Sequence, residues 1–151
     1  YNELKQLSPD IVLGAAIGGI LLSNTVAKEF GTIGIFAERI NGQLNLKRGF
    51  EIGRKNKVLI IEDIVTTGGS IFELIELIEK NNATCIGVGS LVDRSQNGIK
   101  NFSYPFFSLY RHPSNTWEQK DCPLCKRNIP INSRGRTGKW YLTKLLLDYF
   151  F

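Results

Sequence analysis

The stretch Val58–Ser70, VLIIEDIVTTGGS, constrains this chain more than any other. Val58 to Ile61 are apolar β-formers without the polar alternation of a half-exposed strand, the pattern of a strand buried on both faces of a parallel sheet. They give way to Glu62 and Asp63, then to Ile64, Val65, Thr66, Thr67, Gly68, Gly69 and Ser70, where an amphipathic helix begins. Loops at the carboxyl ends of parallel strands form ligand crevices, so the two acids stand at the mouth of one. Thr66, Thr67 and Ser70 offer hydroxyls, Gly68 and Gly69 permit close backbone approach, and the first turn of the helix aims unpaired amides at the loop. Those groups suit a phosphate. The carboxylates do not, and fit sugar hydroxyls instead, or hydrated Mg²⁺ beside a second anionic group. The ligand this indicates is a phosphorylated sugar.

The common nucleotide motifs do not apply. No lysine follows the glycines as in a Walker A loop, Val92 stands where a dinucleotide fingerprint beginning at Gly87 and Gly89 needs its third glycine, and Gly135–Lys139 lacks P-loop spacing. An ordinary strand-to-helix turn with a cap accounts for Ser70 and one glycine, but not for two acids ending an apolar strand.

VLIIEDIVTTGGS resembles the phosphoribosyl pyrophosphate (PRPP) motif of type I phosphoribosyltransferases and is most similar in wording to the orotate phosphoribosyltransferase family. The resemblance runs from about Ile11 to Ile131. It implies an α/β protein of the type I phosphoribosyltransferase fold, with a mostly parallel central sheet flanked by helices. It assigns PRPP binding to Glu62, Asp63, Ile64, Val65, Thr66, Thr67, Gly68, Gly69 and Ser70.

Taken in order, Ile11–Leu13 is a short apolar run leading into Gly14, Ala15, Ala16, Ile17, Gly18 and Gly19, and then a helix pattern with Leu22, Val26 and Phe30 on one face and Gly31 as its stop. On its own, GAAIGG fits close helix-to-strand packing as well as anion binding. The family resemblance makes Ala15, Ala16, Ile17, Gly18 and Gly19 the pyrophosphate loop, although Ala15 stands where the family more often has proline. Ile33–Ala37 reads as a strand with Glu38 at its end, and Arg39–Gly49 as a mobile, hairpin-like loop with an Asn-Gly turn between basic residues. A solvated surface hairpin fits as well. The resemblance makes this the catalytic loop that closes over the pyrophosphate of a neighbouring subunit, with Arg39 and Lys47 as catalytic candidates and Arg48 beside them. It thereby implies a homodimer.

Ile71, Leu74, Ile75 and Ile78 form one helix face. Ala83–Val92 reads as a strand containing Cys85 as a small buried residue. Asp93 and Arg94 follow, as a surface ion pair or, by resemblance of LVDRS to the orotate family, with Arg94 holding the pyrimidine. A guanidinium suits a planar anion through paired hydrogen bonds. By the same resemblance Thr66 also contacts orotate. Tyr104–Leu109 is the last strand candidate, and His112, before Pro113, is given no role.

The net charge of +5 draws heavily on the C-terminal region, where Lys126, Arg127, Arg134, Arg136 and Lys139 are set against Asp121. No apolar run approaches the length of a membrane span, so no membrane role is expected. Three cysteines do not make a secreted disulfide framework, and a cytoplasmic setting is expected. The lone pair Cys122 and Cys125 is too few ligands for zinc, although DCPLC also resembles the end of a subset of bacterial orotate enzymes. Residues 1–131 are expected to be the catalytic core and 132–151 a basic and aromatic tail.

What the resemblance implies is phosphoribosyl transfer from PRPP to N1 of orotate in pyrimidine biosynthesis, through an oxocarbenium-like transition state. Mg²⁺ is carried with PRPP or pyrophosphate and no direct protein ligation of the metal is predicted. The family also has a hood segment before the pyrophosphate loop, which supplies further orotate contacts and is expected to be absent from this chain. The alternatives are a purine or uracil transferase of the same type, and a PRPP-sensing regulator that binds nucleic acid. No RNA-type aromatic-basic motif supports the latter, and no nucleic-acid partner is expected.

Overall fold

The computed structural model describes residues 3–99, 102–115 and 117–129, so the tail expected at 132–151, and its boundary with the core, lie outside the described residues. The chain divides into two compact units, one ending at Ser114 and the other beginning at Asn115. The first contains a six-stranded sheet built from β1 (Ile11–Ala15), β2 (Ile33–Ile40), β3 (Gln43–Leu46), β4 (Lys57–Val65), β5 (Thr84–Asp93) and β6 (Phe106–Arg111). Their order is β3-β2-β1-β4-β5-β6, and all neighbours are parallel except β2 and β3. Helix α1 (Gly18–Phe30) follows β1, and α2 (Gly69–Lys80) follows β4.

The two helices cover opposite faces. Along β4, Leu59 and Ile61 join Val12 under Ala27 of α1, with Leu22, Val26 and Phe30 packed on them. Val58 and Ile60 join Leu13, Ile35 and Val88 under Ile71, Leu74, Ile75 and Ile78 of α2. This alternation along an uninterrupted apolar run is what a strand covered on both sides requires. Burial of each such side chain contributes roughly 1.5–3 kcal/mol. α1 ends where Gly31 takes φ 65°, with the Thr32 amide donating to the Ala27 carbonyl at 3.0 Å, so the expected glycine stop is present.

Five strands run beyond their sequence-based carboxyl limits, β5 by Asp93 and β6 by Tyr110 and Arg111. β1 continues through Gly14 and Ala15, β2 through Glu38, Arg39 and Ile40, and β4 through Glu62 to Val65. The segment expected as a mobile loop is therefore a regular hairpin through Leu46, closed at Asn41 and Gly42 with φ 49° and 87°. Positive φ at both positions is the hairpin turn that the Asn-Gly pair favours. Ladder bonds extend these strands past the apolar core, which polarity alone does not reveal. Among the described residues, no helix is long and apolar enough to cross a membrane.

In the second unit, a short helical turn at Cys125–Arg127 follows Cys122, whose amide donates to the Glu118 carbonyl at 3.0 Å. Cys122 and Cys125 are both free thiols.

Candidate active site

Strands β1 and β4 are neighbours, yet the helices that follow them leave to opposite faces, which opens a crevice at their carboxyl ends. Both helices start there, α1 with Ile17 and α2 with Gly68 as N-cap. Neither start has a side-chain cap hydrogen bond, and neither first turn carries an acid. Uncapped helix starts present amide donors and the positive end of the helix dipole, so the crevice has two places suited to anions.

A carboxylate stands at this junction. Alternation puts Asp63 on the α1 side of β4, and a Cβ built on Gly18 would lie 1.9 Å from Asp63 Oδ2, so the carboxylate rests directly against the first residue of α1. Its Oδ1 accepts the Ile64 amide at 2.7 Å. Glu62 takes the opposite face and is 6% exposed. The expected pair at the mouth is thus divided, with Asp63 at the crevice and Glu62 set into the sheet.

The expected loop residues separate in the same way. Ala15 is buried in β1, and Gly14 and Gly19 pack main chain against main chain, with a Cβ on Gly14 falling 2.4 Å from the Gly19 carbonyl oxygen. Close packing therefore explains Gly14 and Gly19. The rim is left to Ala16, Ile17 and Gly18, with Ile17 87% exposed. After β4, Val65 is core and only its backbone is available, whereas Ile64, Thr66, Thr67 and Gly69 are exposed. Gly68 combines φ 84° with a close approach by Ile99, whose Cγ2 would lie 2.6 Å from an added Cβ. The segment after β5 thereby lies over the start of α2.

Arg94 stands at this edge. Its amide donates to the Val65 carbonyl at 2.8 Å, and its Nε donates to Ser114 Oγ at 2.9 Å. The ion pair of Asp93 is made with Arg111 at 3.6 Å, not with Arg94. Asp93 is 4% exposed and its Oδ1 accepts both the Ser95 amide at 2.8 Å and the Ser95 hydroxyl at 2.5 Å. Sequence reasoning missed Ser95 and Ser114, and no local pattern marks a serine twenty residues from its partner.

The basic candidates differ from one another. Arg39 Nη2 donates to Glu73 of α2 at 2.8 Å and Nη1 to the Gly42 carbonyl, so Arg39 ties the hairpin to the helix. Arg48 pairs with Glu38 at 2.7 Å. Lys47 is exposed and has no ionic partner among the described residues.

Thiol chemistry separates the cysteines. Burial pushes Cys85 up to about 11, whereas the Cys125 amide, followed by the Cys125 thiol, holds Cys122 below the ordinary thiol range. Iodoacetamide at pH 8 is expected to label Cys122 first and leave Cys85 unmodified until the chain unfolds, as read by peptide mass spectrometry. Early labelling of Cys85 would contradict its burial.

The crevice, with two helix starts and a carboxylate, suits a sugar that carries anionic groups, and the chain belongs to the phosphoribosyl transferase domain family, which matches residues 1–124. Among curated relatives, the orotate phosphoribosyltransferase of Caldanaerobacter subterraneus subsp. tengcongensis is 47% identical over 134 residues, 89% of this chain and 70% of the relative. That of Thermotoga maritima is 43% identical over 135 residues, 89% of this chain and 72% of the relative. Of the solved structures, adenine phosphoribosyltransferase from Thermoanaerobacter pseudethanolicus superposes with TM-score 0.64 at 16% identity, covering 74% of each chain. UMP synthase from Leishmania donovani does so with TM-score 0.60 at 23% identity, covering 73% of this chain and 25% of that one. At such identities the structures speak for the fold alone.

Proposed function

We propose that this chain is an orotate phosphoribosyltransferase, moving the phosphoribosyl group of PRPP to N1 of orotate with release of pyrophosphate. The observation that carries the reading is the pair of uncapped helix starts after β1 and β4, with the Asp63 carboxylate against the first of them. PRPP has a phosphate and a pyrophosphate at opposite ends of a ribose, and this crevice offers two anion sites and a carboxylate. The start of α2, with Thr66, Thr67 and Ser70, receives the 5′-phosphate; Ala16, Ile17 and Gly18 receive the pyrophosphate; Asp63 accepts hydrogen bonds from the ribose hydroxyls. The identity to orotate enzymes supports orotate as the acceptor base, with Arg94 and Thr66 beside it.

The donor set fits Mg²⁺ that arrives with the substrate. Mg²⁺ in such sites is commonly held by one or two carboxylates plus phosphate oxygens and water. Asp63 is the carboxylate placed to take part. When bound, the ion offsets charge on the departing pyrophosphate. The chain itself contributes positioning, helix-start amides against both anionic ends, and exclusion of water when the basic hairpin closes. No side-chain nucleophile is needed.

We further read the protein as a cytoplasmic enzyme of pyrimidine biosynthesis and as a homodimer whose hairpin reaches the partner's pyrophosphate with Lys47 and, once released from Glu73 and Gly42, with Arg39. Loss of orotate absorbance on incubation with PRPP and Mg²⁺ tests the reaction; adenine or uracil consumed in its place would overturn the base assignment. The dimer reading has its own test. Mixed and reassorted subunits of inactive Lys47→Ala and Asp63→Asn should recover about a quarter of wild-type activity, because half the dimers regain one intact site. Mixtures as inactive as their parents would place Lys47 in its own subunit's site.

A further inference from the structure

Arg94 is exposed, yet it is held at its main chain and its side chain together. Its amide bonds the Val65 carbonyl at 2.8 Å, its carbonyl accepts the Ser114 amide at 3.3 Å, and its Nε donates to Ser114 Oγ at 2.9 Å. The residues on either side are fixed as well, because Asp93 and Ser95 are each 4% exposed and are joined through Asp93 Oδ1. Ser114 therefore grips Arg94 twice, by backbone and by hydroxyl, from the segment after β6.

This grip decides which edge of the guanidinium can meet a ligand. A guanidinium can receive a carboxylate side-on through Nε and one terminal nitrogen, or end-on through both terminal nitrogens. With Nε engaged by Ser114, the side-on edge is occupied and the end-on edge is left. Holding Nε also settles rotamers before a ligand arrives, and ordering a long flexible side chain otherwise opposes binding. We propose that Ser114 is a positioning residue of the base subsite, presenting the two terminal nitrogens of Arg94 end-on to the carboxylate or carbonyl edge of a planar anionic base. The inference rests on the orotate reading above and assigns to that subsite a residue outside the family's motif.

Kinetics and equilibrium binding of Ser114→Ala, Ser114→Thr, Arg94→Ala and the Arg94→Ala/Ser114→Ala double variant test it. For Ser114→Ala, the KM and Kd for orotate should rise about tenfold, as expected on losing one hydrogen bond to a charged group. Its KM for PRPP and its kcat should stay within about twofold, since only ground-state binding of the base is altered. Ser114→Thr keeps the hydroxyl and should restore the orotate values. The double variant should be no worse than Arg94→Ala, because Ser114 acts only through that side chain. Unchanged orotate affinity in Ser114→Ala, an equal rise in KM for PRPP, or additive losses in the double variant would each overturn the positioning role. Wild-type protein that binds orotate without turning it over would overturn the proposed reaction, and the ratio of the two orotate Kd values would still decide the role of Ser114. Wild-type protein that neither binds nor consumes orotate overturns both.

Discussion

Asp63→Asn should lower kcat/KM for PRPP by about a hundredfold, the upper range for loss of charge-assisted hydrogen bonds to a ligand. Thermal unfolding should stay within a few degrees. The substitution keeps the side-chain oxygen that accepts the Ile64 amide, and Asp63 is only half-buried at the crevice, so little packing is at stake. Gly18→Ala approaches the same carboxylate from the other side. Its new Cβ would fall 1.9 Å from Oδ2 and 2.4 Å from Cγ, and the flexible side chain must swing away from its place. Both variants should therefore lose PRPP turnover together while circular dichroism and melting remain near wild type. Ordinary PRPP kinetics in Asp63→Asn would remove the ribose from this part of the crevice.

Gly14→Ala, four residues before Gly18, should do the opposite. Its Cβ would lie 2.4 Å from the Gly19 oxygen, 2.8 Å from its carbonyl carbon and 3.1 Å from its Cα, all main-chain atoms. No rotamer change relieves that overlap; α1 must move off β1, which is paired with β2 on one side and β4 on the other. A loss of about 3 kcal/mol is expected, the upper range for overpacking. For a domain of this size that is a fall in Tm of about 10 °C, measurable by calorimetry. A variant as stable as wild type would show that β1 and α1 can separate cheaply. Two glycines of one short motif are thus expected to divide, substitution of Gly14 costing stability and of Gly18 costing turnover.

That division was beyond reach of the sequence, where GAAIGG reads equally as packing or as an anion loop. The central strand, the turn after it and α2 were legible because apolar run, turn glycines and the Ile71, Leu74, Ile75, Ile78 face all agree. So were the Asn41–Gly42 turn and the burial of Cys85. The extent of β4 was not. Glu62 looks like the end of a strand in composition, yet Ile64 and Val65 continue the ladder with Val92 and Asp93. The separation of Glu62 from Asp63 follows from that continuation. Arg39 appeared as a loop cation because its partner Glu73 lies thirty-four residues away on another element, and Ser114 was invisible for the same reason. Contacts between distant segments leave no local periodicity to read.

The contact between Gly14 and Gly19 has a consequence for how such a chain can diversify. It fixes where α1 begins, and leaves only Ala16 and Ile17 between strand and helix, with no room for an insertion that does not disturb the core. The proposed base side is built otherwise, from the segments after β5 and β6 that carry Arg94 and Ser114. Those connections follow the last strands of the sheet, away from the α1 junction, and new side chains are tolerable there where they keep Arg94 on Val65 and Ile99 over Gly68. One side of the crevice is locked backbone to backbone, and variation is left to the other.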